Sequence, residues 1–164
     1  MALDVRQAQQ KFAADPAAAL STPTVTAVLA NGRARLSAGA FNWEADLGPA
    51  IGGQNLAPSP TAYLLGALAG CAVAFLNDTL APQFDVTISN IQATARCSSD
   101  VRGLLGDADV APDLGDIALE VRVDSSDPEE RVQRMLDAWQ ERCPIYLAIR
   151  KPNRIAFSTT IRAG

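Results

Sequence analysis

Apolar and polar residues alternate over six stretches of the chain. This period-two pattern predicts strands over residues 24–30, 33–37, 41–47, 85–97, 117–124 and 155–161. Between the first two strands, Asn31-Gly32 favours a two-residue hairpin turn. The third predicted strand has a dry and a wet face, with Phe41, Trp43, Ala45 and Leu47 alternating with Asn42, Glu44 and Asp46. The alternation slips by one position at Ser89-Asn90, which predicts an irregularity in the fourth strand.

Helical spacing predicts four further elements. They are a short amphipathic helix over residues 3–20 with an end near Asp15-Pro16, a long helix over 60–80, a helix from Pro128 to about 142 and a short helix over 144–150. Ser59 before Pro60, and Asp127 before Pro128, are N-caps followed by proline at the first helical position. Residues 101–115, rich in Gly and Asp, are predicted to form a loop. Strands, a long helix, strands, helices and a strand in this order indicate an α+β domain.

The long helix has the composition of a buried or a membrane-spanning segment. No charged residue occurs between residues 47 and 77, and residues 60–76 are mostly apolar. Its apolar stretch is rich in Ala and Gly and is closed by Asp78 just short of a spanning length, so we expect a central helix in a soluble core, covered on most sides. Gly66 and Gly70, four residues apart, would allow another backbone to approach closely, as at a dimer interface.

The composition limits the partners and the reaction types that are expected for this chain. The chain of 164 residues fits one domain, and its net charge of −4 with scattered arginines argues against nucleic acid and anionic membranes as partners. It contains no histidine, which excludes Ser/His/Asp and Cys/His mechanisms and makes a metal site improbable. The N-terminal residues do not resemble a signal peptide, so a reducing cytosol is expected, where a disulfide would be transient. The three cysteines are therefore the candidate reactive groups.

Two of the cysteines lie on predicted helices. Cys71 lies inside the long helix, and Cys143 precedes Pro144 at the N-cap of the short helix, where backbone amides lower a thiol pKa. Cys97, near a strand end, is expected to be a small buried hydrophobe. Spacing alone does not establish whether Cys71 and Cys143 meet. No Cys-x-x-Cys motif is present, so a thioredoxin-type site is not expected.

Two sequence motifs are similar to those of a known family. Residues 52–60 (GGQNLAPSP) and 63–71 (YLLGALAGC) resemble the central-helix signature of the OsmC/Ohr family, and Cys143-Pro144 after an amphipathic helix matches the second half of that signature. The resemblance runs from about Thr22 to Arg162. It divides the chain into an N-terminal helical extension, residues 1–21, and an OsmC-like domain, residues 22–164.

The resemblance implies a fold and an activity. It implies antiparallel sheets wrapped around a long central helix, in an intertwined homodimer with active sites at the subunit interface. Cys71 would be the peroxidatic thiol and Cys143 the resolving thiol of a cytoplasmic peroxidase. That enzyme would reduce organic hydroperoxides, use an external dithiol and need no metal or organic cofactor. An oxidative stress response, with neither nucleic acid nor membrane as partner, is the expected role.

The chain departs from the family pattern at one position. Hydroperoxide-reducing members carry a glutamate after the proline that opens the central helix, whereas this chain has Thr61. That glutamate holds an arginine over the thiolate. The turn before Arg33 resembles the family's glycine-arginine turn and nominates Arg33, with Arg35 nearly as good. The alternative functions are a redox sensor without turnover, a protein that binds a small hydrophobic ligand, and a structural domain with inert thiols.

Overall fold

The structure is a computed structural model and describes residues 4–162. A short amphipathic helix begins this part of the chain. Helix α1 (Val5–Ala14) is capped by Asp4, whose carboxylate accepts the backbone N–H of Gln7 at 3.1 Å. It ends at Asp15, and a 3-10 turn (Pro16–Ala19) follows, so the end predicted near Asp15-Pro16 is confirmed. None of its residues is buried.

The first sheet is an antiparallel meander of strands β1 (Thr26–Ala30), β2 (Arg33–Ala38) and β3 (Phe41–Ala45). Asn31 and Gly32 have φ of 53° and 76°, as a two-residue hairpin turn requires, which confirms the predicted turn. The register places Arg35 opposite Glu44. The predicted wet and dry faces of β3 are wrong at both ends, since Phe41 is 75% exposed and Asp46 is buried.

Helix α2 (Pro60–Phe75) begins where Ser59 caps it, with the Ser59 hydroxyl accepting the N–H of Ala62 at 3.1 Å. It continues through a π-helical turn (Leu76–Leu80) into α3 (Ala81–Phe84), so the helical segment ends four residues later than predicted. Pro82 lacks a backbone N–H and therefore cannot keep the regular bonding pattern of an α-helix. Asp85, with φ of 54°, ends the segment.

The segment from Pro60 to Phe84 is long and apolar enough to cross a membrane by length and composition. In this fold one face of the segment lies at the centre of the core. The residues of that face are spaced four positions apart and are 0–2% exposed: Leu68, Ala72, Leu76 and Leu80. Small residues form an exposed face: Gly66, Ala67, Gly70 and Ala74. The expectation that most sides are covered is therefore not met within a single chain.

The second sheet pairs β4 (Ile88–Ser98) with β5 (Gly115–Ser125), and β4 packs on α2. The register shifts between Ile88 and Asn90, where the sequence predicted an irregularity. The connecting loop contains one turn of helix, α4 (Val101–Leu104). The α+β class predicted from the sequence is confirmed.

Two helices complete the core: α5 (Glu129–Arg142) and α6 (Pro144–Arg150). The capping role predicted for Asp127 is wrong. Pro128 occupies the N-cap, while the Asp127 carboxylate accepts the backbone N–H of Thr87 at 2.7 Å and pairs with Arg131. These bonds join the start of α5 to the segment before β4, which leaves the carboxylate unavailable for the helix amides.

Residues 151–162 form no strand, so the strand predicted over residues 155–161 is wrong for the single chain. Ile155, Phe157 and Ile161 are 86–95% exposed. The physical reason is that a strand needs a neighbouring strand to pair its backbone groups, and alternation predicts only that a segment suits a sheet. This segment keeps the sequence pattern of a strand without a partner in the described residues.

Candidate active site

The fold brings Cys71 and Cys143 into direct contact, with their Sγ atoms 2.9 Å apart. Both thiols are free. A disulfide has an S–S distance of about 2.05 Å, so forming one requires the sulfurs to approach by less than about 1 Å. The two cysteines named from the sequence therefore form one site, although 72 positions separate them.

The junction of two helices positions Cys143. Its backbone N–H donates to the carbonyl of Trp139 at the end of α5, and its carbonyl accepts the N–H of Leu147 in α6. Its Sγ accepts the N–H of Tyr146 at 3.5 Å, which confirms the predicted N-cap. The Cys143 side chain is completely buried in the core beside Met135. Cys71, on α2, stays partly exposed.

The electrostatic environment of Cys71 opposes ionisation. Burial, the hydrogen bond with Cys143 and the charge of that second sulfur raise the pKa of Cys71 to about 12, against 9.0 for a free thiol. The backbone N–H of Ile145 acts in the opposite direction. Within residues 4–162 of one chain, no lysine or arginine contributes to lowering this pKa. The described residues of one chain therefore supply no positive charge that favours the Cys71 thiolate.

The candidate arginines lie on the first sheet. Arg33 donates from Nε to the Glu44 carboxylate at 3.0 Å and forms an ion pair with it at 2.9 Å, whereas Arg35 lies 3.9 Å from the same carboxylate and is more exposed. Tyr63, on α2, donates its hydroxyl to the backbone carbonyl of Glu44. Glu44 therefore pairs with Arg33, and Arg33 does not influence the pKa of Cys71 in its own chain.

Sequence reasoning missed the importance of Asp46. Its carboxylate accepts the backbone N–H groups of Leu47, Gln54 and Leu56 at 2.8–3.2 Å and so organises the loop between β3 and α2. In that loop a Cβ on Gly53 would lie 2.0 Å from the carbonyl oxygen of Leu47, so only glycine fits. A mostly apolar cleft of about 470 Å³ lies beside this loop, with Arg33 and Asp46 in its wall.

Asp46→Asn is expected to lower the melting temperature at pH 7 by a few degrees. The N–H of Leu56, foremost, and those of Leu47 and Gln54 hold the pKa of Asp46 below its usual 3.8, although burial acts the other way. Because the pKa of Asp46 is lower in the folded state than in the unfolded state, the ionised carboxylate stabilises the fold above pH 3.8. This stabilisation is lost as the pH falls below that value. Melting curves of both proteins should converge in acid. A gap that persists at the lowest pH would contradict this account.

The third thiol is separate from the site. Cys97 lies on β4 and is only partly buried, so the expectation that it is a buried residue is wrong. Among residues 4–162, no group of three or more Cys, Asp or Glu side chains is arranged to hold a metal ion.

The fold is therefore an α+β fold with a site of two contacting thiols, one partly exposed on an apolar helix and one buried. The chain belongs to the family described as OsmC-like protein, whose profile matches residues 52–158, more than half of its length. No curated protein sequence matches the chain.

Solved structures share the fold. The OsmC-like protein of Mycoplasma pneumoniae is 24% identical with a TM-score of 0.66, covering 79% of this chain and 88% of its own. An organic hydroperoxide resistance protein OsmC of Legionella pneumophila is 17% identical with a TM-score of 0.61, covering 80% and 90%. The organic hydroperoxide resistance protein OhrB of Bacillus subtilis is 19% identical with a TM-score of 0.51, covering 79% and 91%. At these identities the likeness establishes the fold.

Proposed function

We propose that this chain is a thiol-dependent peroxidase that reduces organic hydroperoxides through Cys71 and Cys143. The observation that carries the proposal is the 2.9 Å contact between a partly exposed and a buried sulfur. Family membership and two structural neighbours named for organic hydroperoxide resistance support it. We expect the enzyme to act in the cytosol without a metal or organic cofactor.

The reaction has three steps. The Cys71 thiolate attacks one peroxide oxygen, the O–O bond breaks, and an alcohol leaves while Cys71 becomes a sulfenic acid. The Cys143 thiol attacks that sulfenic sulfur, releasing water and forming the Cys71–Cys143 disulfide. An external dithiol then reduces the disulfide and is itself oxidised. Because the sulfurs already touch, the second step needs no rearrangement of the helices.

A turnover assay tests the activity. With dithiothreitol as reductant, the protein should consume cumene hydroperoxide catalytically and hydrogen peroxide much more slowly, because apolar side chains surround the sulfurs. The alcohol product should match the dithiol oxidised mole for mole. Absence of turnover with every dithiol tried would reject the proposal.

We further propose that two copies assemble to complete the site. The small-residue face of α2 is exposed, and the unpaired segment 151–162 exposes three large apolar side chains, Ile155, Phe157 and Ile161. A second copy could cover them and supply the cation that Cys71 lacks in its own chain.

Gly70→Leu is expected to abolish dimerisation without unfolding the chain. A Cβ at Gly70 meets nothing within 4 Å in the single chain, so the added side chain has room unless another helix packs there. Light scattering after size exclusion should show a monomer with an unchanged far-ultraviolet spectrum. Glu141→Leu, on the exposed face of α5, is the matched control and should remain dimeric. A Gly70→Leu protein that is still dimeric would contradict this use of the α2 face.

Arg33→Lys is expected to lower kcat/KM for hydroperoxide roughly tenfold or more, and Arg35→Lys to change it little. Lysine keeps the charge but loses the fork of donors that Arg33 presents to Glu44. Arg35 is further from that carboxylate and more exposed. Steady-state kinetics of the two variants, side by side, would show the reverse order if Arg35 were the activating residue.

A structural domain with inert thiols is the second candidate. The raised pKa of Cys71 favours it, because a thiol that stays protonated at neutral pH is a poor nucleophile. Thiolate absorbance as a function of pH separates the candidates. A pKa below about 8.5 in the assembled protein supports a reactive thiol, in a peroxidase or a redox sensor, and a pKa at or above that value supports inert thiols.

A further inference from the structure

The two sulfurs of the site differ in accessibility. Cys143 is 0% exposed, enclosed at the junction of α5 and α6. Cys71, on α2, is partly exposed. A molecule that approaches the pair from solvent therefore meets Cys71.

Accessibility matters most when the disulfide is reduced. An attacking thiolate has to reach one sulfur of the bond, and the other sulfur then leaves. Reaching Cys143 would require the core around Met135 and Trp139 to open, which costs a substantial part of the stability of the fold. Reaching Cys71 requires no such opening.

We propose that the external reductant attacks the Sγ of Cys71 and that Cys143 is the leaving thiolate. This inference rests on the proposed function for the identity of the disulfide. Both substrates of the enzyme, the hydroperoxide and the thiol, then use the same sulfur and the same entrance.

The reductive half-reaction balances as follows. The reductant thiolate forms an S–S bond to Cys71 as the Cys71–Cys143 bond breaks, and the electron pair of that bond stays on Cys143, which takes up a proton from solvent. A second thiol then attacks the reductant sulfur of the mixed disulfide and releases Cys71. The protein gains two electrons, and the two thiols leave as a disulfide.

The surroundings of the sulfurs favour this direction. The N–H of Tyr146 donates to the Sγ of Cys143 and can stabilise a departing thiolate there. Accessibility and this hydrogen bond therefore both favour attack at Cys71.

The experiment begins with a Cys97→Ser protein, which removes the third thiol outside the site. Diamide converts it to the Cys71–Cys143 disulfide, so the test does not depend on peroxidase activity. One equivalent of 2-mercaptoethanol is added, free thiols are trapped with N-ethylmaleimide after short times, and tryptic peptides are mapped. Cleavage after Arg142 and Arg150 places Cys143 on a peptide of its own. We expect mercaptoethanol on Cys71 and maleimide on Cys143. Mercaptoethanol on Cys143, or equally on both, overturns the proposal.

A second measurement does not require a disulfide to form at all. Two single-cysteine proteins, Cys97→Ser with either Cys143→Ser or Cys71→Ser, are reacted with an aromatic disulfide under native conditions. The protein retaining Cys143 should react at least about tenfold more slowly than the protein retaining Cys71, and the two rates should converge in denaturant. Equal native rates overturn the inference. Failure of hydroperoxide to oxidise the pair, with these results as expected, rejects only the proposed peroxidase.

Discussion

Cys71→Ser is expected to reduce kcat/KM for cumene hydroperoxide by at least about a thousandfold, to the level of the uncatalysed reaction. Serine keeps the size of the side chain but cannot supply the nucleophile at neutral pH, and Cys143, completely buried, cannot replace it. Dithiol-dependent hydroperoxide consumption measures the loss. Cys97→Ser, outside the site, is the matched control and should retain full activity. Substantial turnover by Cys71→Ser would contradict the assignment of first attack.

The companion variant Cys143→Ser separates the two roles. It should still consume one equivalent of hydroperoxide, because Cys71 is intact, and then fail to form the intramolecular disulfide. Without its resolving thiol, the sulfenic acid is exposed to a second peroxide and proceeds to sulfinic acid. Intact mass after excess hydroperoxide should therefore show two added oxygens in Cys143→Ser and none in the unmodified chain.

Leu76→Ala is expected to cost about 2–5 kcal/mol of unfolding free energy. Leu76 is completely buried at the start of the π-helical turn, five residues after Cys71, so truncation leaves a cavity in the centre of the core. Urea unfolding followed by circular dichroism gives the value. Leu64→Ala on the same helix is the matched control. Leu64 is 38% exposed, and its truncation should cost below about 1 kcal/mol. Equal losses in the two variants would contradict the described core.

Local signals in the sequence predicted most of the elements. Asn31-Gly32 specifies its turn through backbone conformation, and Ser59-Pro60 specifies a helix start through one hydrogen bond and one fixed angle. The slipped alternation at Ser89-Asn90 marked the register shift of β4. Each of these signals acts within a few residues, so it needs no knowledge of the rest of the fold.

The errors occur where a distant group determines the outcome. The segment 155–161 alternates like a strand but has no neighbour to pair with in one chain. Asp46 appeared to belong to a wet face, yet three backbone N–H groups of the following loop make its burial favourable. The Asp127 carboxylate accepts the N–H of Thr87, 40 positions away, and not the amides of the helix that follows it.

The candidate site combines both situations. The N-cap position of Cys143 followed from the adjacent proline, but its contact with Cys71 depends on how α2, α5 and α6 pack, which local signals do not determine. The Arg33–Glu44 pair could have been predicted from the sequence. The turn after Ala38 pairs it with Phe41, and counting back along both strands places Arg35 opposite Glu44 and Arg33 diagonal to it.

The measurement that tests the central claim most directly is mass spectrometry after one equivalent of cumene hydroperoxide, with free thiols alkylated. The account predicts a Cys71–Cys143 disulfide within seconds, absent from the Cys71→Ser protein, and Cys97 alkylated throughout. If Cys71 and Cys143 both remain alkylatable after minutes, the sulfur contact does not function as a peroxidatic couple, and the proposed peroxidase is wrong.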